Sequence, residues 1–229
     1  MPSLARFHDL HAGQRCVIVC NGPSLNQMDL SFLQREIVIG LNKIYLGLDR
    51  FGFYPRYLVA MNALVVEQSR AELAAMTCIK FIGARAAAHL PQDAFTHHVA
   101  VLGPPMLFST DITQGLREGG TVTHAALQIA FYMGFAEVVI IGMDHRYQFA
   151  GKPHQVTHLD GPDTNHFSSD YFAGQTWQNP DLRRSEVSYA AARQVYERAG
   201  RQIIDATQGG ACTVFRRENH RQYFGLAPR

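Results

Sequence analysis

The sequence predicts an α/β protein with an open, mostly parallel sheet, helices on both faces and a long lid loop. Three observations carry that expectation. Short apolar, β-branched runs alternate along the chain with helical stretches. Several runs are apolar at consecutive positions, as strands covered on both faces must be. The composition of 47% apolar and 10% aromatic residues over 229 supplies enough apolar material for one sizeable core, so residues 1–229 are expected to form a single domain.

Taken in order, the strand candidates are Cys16 to Cys20, Ile37 to Leu41, Tyr57 to Met61, Cys78 to Ile82, His98 to Leu102, Val138 to Ile141 and Gln202 to Ile204. The clearest helix is Thr121 to Met133. There Val122, Ala125, Ala126, Ile129, Ala130 and Met133 recur at spacings of three and four, and Gly134 stands where a C-cap belongs. A second helix is expected from Asp181 to Ala199, ending at Gly200. Between these two parts, Asp144 to Pro180 is polar and shows little periodicity, and its aromatic residues favour an ordered lid over a disordered segment. The stretch Phe215 to Phe224 has the look of a solvated basic tail.

Several function classes lose support early. With 21 Lys+Arg against 19 Asp+Glu the net charge is +2, too small for the broad basic face that nucleic acid requires. No apolar run approaches the ~18 residues that cross a bilayer, and no signal peptide opens the chain, so a cytoplasmic protein is expected. Cys16 and Cys20 on one strand would lie about 13 Å apart, too far for a disulfide. No Cys-x-x-Cys, Walker or Gly-x-Gly-x-x-Gly motif occurs.

In an open α/β sheet ligands sit beyond the carboxyl ends of the strands. Four of the expected strands run there into polar residues: Asn21-Gly22-Pro23-Ser24, Asn42, Asn62 and Asp144. Turn chemistry alone also favours Asn and Asp at such places. Ser24 followed by Gln27 has the spacing of a capping box, which would leave backbone N–H groups aimed at an anion. Gly120-Thr121, opening the best helix, offers a second phosphate-sized place. His145, His154, His158 and His166 crowd the polar segment beside Asp144, Asp160, Asp163 and Asp170, in a spacing that matches no metal-ligand template. Among them His166 is the candidate general base, since imidazole titrates near ~6.5.

Cys16-Val-Ile-Val-Cys-Asn-Gly-Pro-Ser-Leu25, Glu36 to Tyr45, Gly120 to Gln128, Met133 to Asp144 and His145, Asn165 to Phe172 and Ile204 to Gly210 together resemble the MptE-like family, named after an archaeal 6-hydroxymethylpterin diphosphokinase. The Asn-Gly-Pro-Ser-Leu opening and the Gly-x-Asp strand end are also similar to bacterial CMP-sialic-acid-dependent sialyltransferases and to the central domain of motility-associated flagellin-glycosylation factors. Resemblance to the sialyltransferases implies a glycosyltransferase in surface glycan assembly, with a nucleotide-sugar donor and a hydroxyl acceptor on a glycan or lipid-linked glycan. Asn21, Asn42 and Asn62 would then hold the nucleotide, Thr121 the donor phosphate or carboxylate, Tyr147 the leaving phosphate, and His166 would deprotonate the acceptor. Resemblance to the pterin kinases implies instead Mg²⁺-ATP-dependent diphosphate transfer, with Asp144 helping to hold the metal. A nucleotide-binding module without turnover is the third reading. The inner membrane face is an alternative place of work, and oligomerisation is left open.

Overall fold

The computed structural model describes residues 3–103 and 107–226. Its strands are β1 (Arg15–Val19), β2 (Val38–Leu41), β3 (Tyr57–Ala60), β4 (Ile79–Gly83), β5 (Thr96–Val99), β6 (Val101–Leu102), β7 (Leu116–Arg117), β8 (Glu137–Ile141), β9 (Val156–Leu159), β10 (Gln175–Gln178), β11 (Gln202–Asp205) and β12 (Arg216–Arg217). Its α-helices are α1 (Leu48–Phe51), α2 (Ala63–Gln68), α3 (Arg70–Ala75), α4 (Val122–Tyr132), α5 (Leu182–Arg198) and α6 (His220–Tyr223). Eight strands form one sheet in the order β12-β11-β8-β1-β2-β3-β4-β5, parallel at every pairing. From β1 the chain steps outward to β5, then returns through α4 to lay β8 on the other side of β1. The fold is therefore Rossmann-like, with its topological switch point between β1 and β8.

The strands are apolar on both sides because both faces are covered. Cys16 and Ile18 of β1 pack with Ile39, Val59, Phe81 and Ile140 beneath α4 and α5, whereas Val17 and Val19 join Val38, Leu58, Ile82 and Ile141 on the opposite face. The covering of that second face departs from a regular α/β unit. Short 3₁₀ turns, Pro23–Gln27 and Ser31–Arg35, replace a helix between β1 and β2. Phe167, Tyr171, Phe172 and Trp177 complete the cover. Residues 144–180 thus contribute to the core, and β9 and β10 pair antiparallel within them. Alternation was hard to see there because Trp177 is the one buried residue of β10 and β9 has none.

Other expectations need correction. The run His98 to Leu102 is two strands. β5 closes the large sheet, while β6 turns away to pair with β7, because Ala100 breaks the ladder and accepts from Leu116 N. The stretch Phe215 to Phe224 is no solvated tail: Arg216–Arg217 adds the edge strand, Phe215 is buried, and Phe224 stacks on Phe32 with ring centroids 3.9 Å apart. The two long helices match closely, with Thr121 and Asp181 as side-chain N-caps and Gly134 and Gly200 at positive φ just past the ends.

Candidate active site

At the carboxyl ends of β1 to β4 lies a crevice of about 760 Å³, large enough for a nucleotide-sized ligand. Asn21, Asn42 and Asn62 line it where β1, β2 and β3 end; Gly120 and Thr121 line it at the start of α4; Tyr147 and His166 line it from the lid side. Gly22, Pro23, Ser24 and Asp144 are absent from that lining. The structure therefore brings most of the candidates to one space and sets a second group behind it.

The first group contains unmet hydrogen-bonding capacity. Asn21 Nδ2 donates to Leu41 O at 3.1 Å, which fixes the amide's orientation and leaves Oδ1 buried with no partner. Asn42 adopts φ +47°, a left-handed conformation that Asn tolerates better than most residues, and its Oδ1 is likewise buried and unpartnered. An unsatisfied buried acceptor costs about 1–3 kcal/mol. Both residues stand just past the ends of the neighbouring strands β1 and β2 and line the crevice. Asn62 is different, because its Oδ1 caps α2 by accepting from Leu64 N at 2.9 Å and its Nδ2 reaches Gln178 Oε1 of β10 at 3.3 Å.

The second group is a buttress. Ser24 donates to the Asp144 carboxylate through its backbone N–H (3.1 Å) and its hydroxyl (2.7 Å). The capping box expected from Ser24 and Gln27 is consequently not formed: Gly22 is the N-cap of the 3₁₀ turn and makes no side-chain cap bond. A Cβ on Gly22 would collide with the Asp144 carboxylate, so only glycine lets the two strand ends approach. Burial raises the Asp144 carboxyl above its ordinary range, opposed by the Ser24 hydrogen bonds.

At the head of α4, Thr121 accepts from Thr123 N at 3.3 Å, and Tyr189 OH of α5 lies 3.4 Å from Thr121 Oγ1. Gly120 N donates to Glu118, whose carboxylate is also paired with Arg184. Cys20 Sγ lies 3.5 Å from Thr123 Oγ1, and burial pushes its thiol up to about 12, so it stays neutral. Tyr147 is partly exposed at the crevice, and among the described residues no hydrogen bond engages its hydroxyl.

His166 is held on three sides. His166 Nδ1 lies 2.8 Å from Asp163 Oδ2, and the ring stacks on Tyr171 at 3.9 Å with 4° between planes. Phe172 and Trp177 meet it edge-on at 5.3 and 6.3 Å. Phe167 N donates to Asn21 O at 2.9 Å, which ties this segment to the end of β1. Among the described residues no hydrogen bond engages His166 Nε2. Sequence reasoning missed Asp163 as its partner, although the i,i+3 spacing was a usable signal. It also missed Tyr189, whose helical spacing indicated only core, and the crevice arginines Arg85, Arg117 and Arg184. Among the described lining residues these three cations face one carboxylate, Glu118, a balance that favours an anionic ligand.

A family model described as 6-hydroxymethylpterin diphosphokinase MptE-like matches residues 1–149. The chain belongs to the MptE-like family. The match ends inside the lid segment, before His166. No curated protein matches the sequence. Among solved structures, this MptE-like chain is similar to one titled the MAf glycosyltransferase from Magnetospirillum magneticum AMB-1, with a TM-score of 0.57 at 16% identity. The likeness covers 95% of this chain and 37% of that one, so the chain spans little more than a third of that protein's length. At this identity the likeness establishes the fold.

Mg²⁺ can be tested against the donor set of this MptE-like chain. Among the described residues no three His, Cys, Asp or Glu side chains form a metal-ligating group. Asp144 directs both oxygens at Ser24, and Glu118 is engaged by Arg184 and Gly120 N. The residues present do not fit a protein-built Mg²⁺ site. No helix among the described residues is long and apolar enough to cross a membrane.

Proposed function

We propose that the chain is a nucleotide-dependent transferase working as a sialyltransferase-like glycosyltransferase, with a nucleotide-sugar donor and a hydroxyl acceptor of a glycan or lipid-linked glycan. The observation that carries this reading is the convergence on one crevice of Asn21 and Asn42, whose amide oxygens are buried without a hydrogen-bond partner among the described residues, with Gly120, Thr121, Tyr147 and His166. The orphans suit the amino or hydroxyl donors of a nucleoside. The opening of α4 at Gly120-Thr121 suits its phosphate, because that helix end carries partial positive charge. His166 then takes the proton of the acceptor hydroxyl, and the freed oxygen attacks the sugar carbon. The bond from that carbon to the donor phosphate breaks with its electron pair going to the phosphate oxygen, where Tyr147 donates a hydrogen bond. Asp144 is assigned a supporting role: it holds the Asn21-Gly22-Pro23-Ser24 turn through Ser24. The similar solved structure is a glycosyltransferase, which supports the transfer of a sugar; the family takes its name from diphosphate transfer, and the carboxylates available here lend that reading little support.

A thermal-shift panel of CMP, CMP-sialic acid, UDP, GDP and ATP, each with and without Mg²⁺, tests the choice. A ligand at 100 times its Kd adds about 2.7 kcal/mol of stability. Metal-independent stabilisation by a pyrimidine nucleotide or its sugar conjugate is expected. Stabilisation by ATP only with Mg²⁺ would replace this reading with the diphosphokinase, and tight binding with no product from any acceptor would replace it with a silent binding module. Where transfer is observed, His166→Ala is expected to lower kcat by about 10²-fold or more with donor affinity unchanged. Equal turnover would remove His166 from the mechanism.

A further inference from the structure

We infer that Asp163 is a positioning residue that fixes the tautomer of His166, holding the ring proton on Nδ1 so that Nε2 presents a lone pair to the crevice. The inference rests on the reading of His166 as the base, but its own evidence is separate and geometric. A carboxylate can only accept, so the 2.8 Å contact to Asp163 Oδ2 requires the proton on Nδ1. The other Asp163 oxygen is already committed, accepting from Asn165 N at 2.8 Å, and Asp163 N donates to Ser169 O at 2.8 Å. The carboxylate therefore cannot swing away without breaking its own turn. Its side chain is 2% exposed, so water does not compete for it.

The ring is equally constrained. Coplanar stacking on Tyr171 with Phe172 and Trp177 at its edges fixes its plane. A half-turn of the ring would put a C–H against Asp163 and leave a buried carboxylate oxygen unpaired, at a cost of about 1–3 kcal/mol or more. Tyr171 is anchored in turn: the Lys43 ammonium donates to its carbonyl at 2.8 Å, and Lys43 N donates to its hydroxyl at 3.3 Å. Such a pair has two consequences. The lone pair is presented before any ligand arrives, and the imidazolium formed when Nε2 takes a proton stands beside a fixed negative charge.

The test reads the ring nitrogens directly. In ¹⁵N-labelled protein at about pH 8.5, above the ~6.5 reference of imidazole, long-range ¹H–¹⁵N correlation separates a protonated ring nitrogen from one with a free lone pair. The His166 signals are assigned by their loss in His166→Gln. In the unaltered protein Nδ1 is expected to be protonated and Nε2 free. In Asp163→Asn, whose amide can donate to Nδ1, the proton is expected to move wholly or partly to Nε2. Where transfer is measurable, kcat should fall about 10²- to 10⁴-fold with the Kd for CMP unchanged, the signature of a misplaced tautomer. A proton on Nε2 in the unaltered protein would overturn the inference without any variant, so a misfolded Asp163→Asn leaves it falsifiable. An unchanged tautomer in Asp163→Asn would overturn it even if activity dropped. A tautomer swap in a protein that transfers nothing would uphold the positioning role while the base reading falls.

Discussion

Lys43 shows how one side chain links the segment of residues 144–180 to the sheet. It follows Asn42 at the end of β2, is 2% exposed, and its ammonium donates to Tyr171 O (2.8 Å), Gln175 Oε1 (2.7 Å) and Gln68 Oε1 (3.1 Å), with the Phe172 ring 4.5 Å away. Three neutral acceptors satisfy its donors, and no carboxylate pairs with it among the described residues. Desolvation therefore lowers its pKa from 10.5 to about 8. Below pH 8 both the native and the unfolded chain carry the charge, and the native state bears the full cost of burying it. Between about pH 8 and 10.5 the unfolded chain still holds a proton that the native chain has released, so this group makes stability rise with pH through that window, by an amount on the order of 3 kcal/mol. Lys43→Met should remove that rise. Urea midpoints measured from pH 7 to 10.5 are expected to climb in the unaltered protein relative to the variant. Parallel curves would show that Lys43 is not buried as a cation.

Among the elements, α4 carries the most weight because it closes the sheet's one face and also opens the crevice. Its residues from Thr123 to Ala130 are all buried, including Gln128, so it needs a polar partner inside the core. Gln128 Oε1 accepts from Ser109 N and Arg117 N, both at 2.8 Å, while Nε2 donates to Arg117 O at 2.9 Å. One amide thus does for β7 and the approach to it what a neighbouring strand would do. Gln128→Leu keeps the volume but strands those backbone groups, and it should cost at least about 2 kcal/mol in chemical denaturation. A loss under about 0.5 kcal/mol would mean that water replaces the amide. The helix itself was legible because Val122, Ala126 and Ile129 keep its period and Gly134 ends it. Gln128 was not, since nothing in sequence spacing says which loop a buried amide will meet. The β9–β10 pair escaped for a related reason: Trp177 alone of its residues is buried, and Trp177 and Phe172 pack against the sheet's second face.

At the scale of the molecule, parallel strands make the site legible, because a parallel sheet brings all its strand ends to one edge. Asn21, Asn42 and Asn62 could be placed together from strand pattern alone. Whether each side chain faces the crevice depends on contacts made by distant parts of the chain. Asp144 follows β8 as expected yet turns toward Ser24, and behind it stands the C-terminal stretch. Ala211 N donates to Asp144 O at 2.9 Å, Met143 N donates to Thr207 Oγ1 at 3.0 Å, and Arg217 of β12 donates to the carbonyls of Thr207 and Gly210. Residues beyond 214 therefore brace the loop that braces the strand end. Their apolar part acts elsewhere: Phe215 packs against Tyr189 at 5.4 Å and Phe224 against Phe32, under the Arg15 guanidinium at 5.2 Å. Truncation after Val214 removes both. Burying Phe215 is worth about 1.5–3 kcal/mol and the half-buried Phe224 less, so the loss should reach about 2–4 kcal/mol and show as a large fall in the urea midpoint. Arg217→Met separates the two contributions. It keeps both rings and removes only the bonds to the loop, so it should cost about 1–2 kcal/mol. It should also weaken nucleotide binding in the thermal-shift panel, because the Asp144–Ser24 buttress loses its support. A truncated chain with an unaltered midpoint would show that the sheet is complete at β11 and that the last strand only decorates its edge.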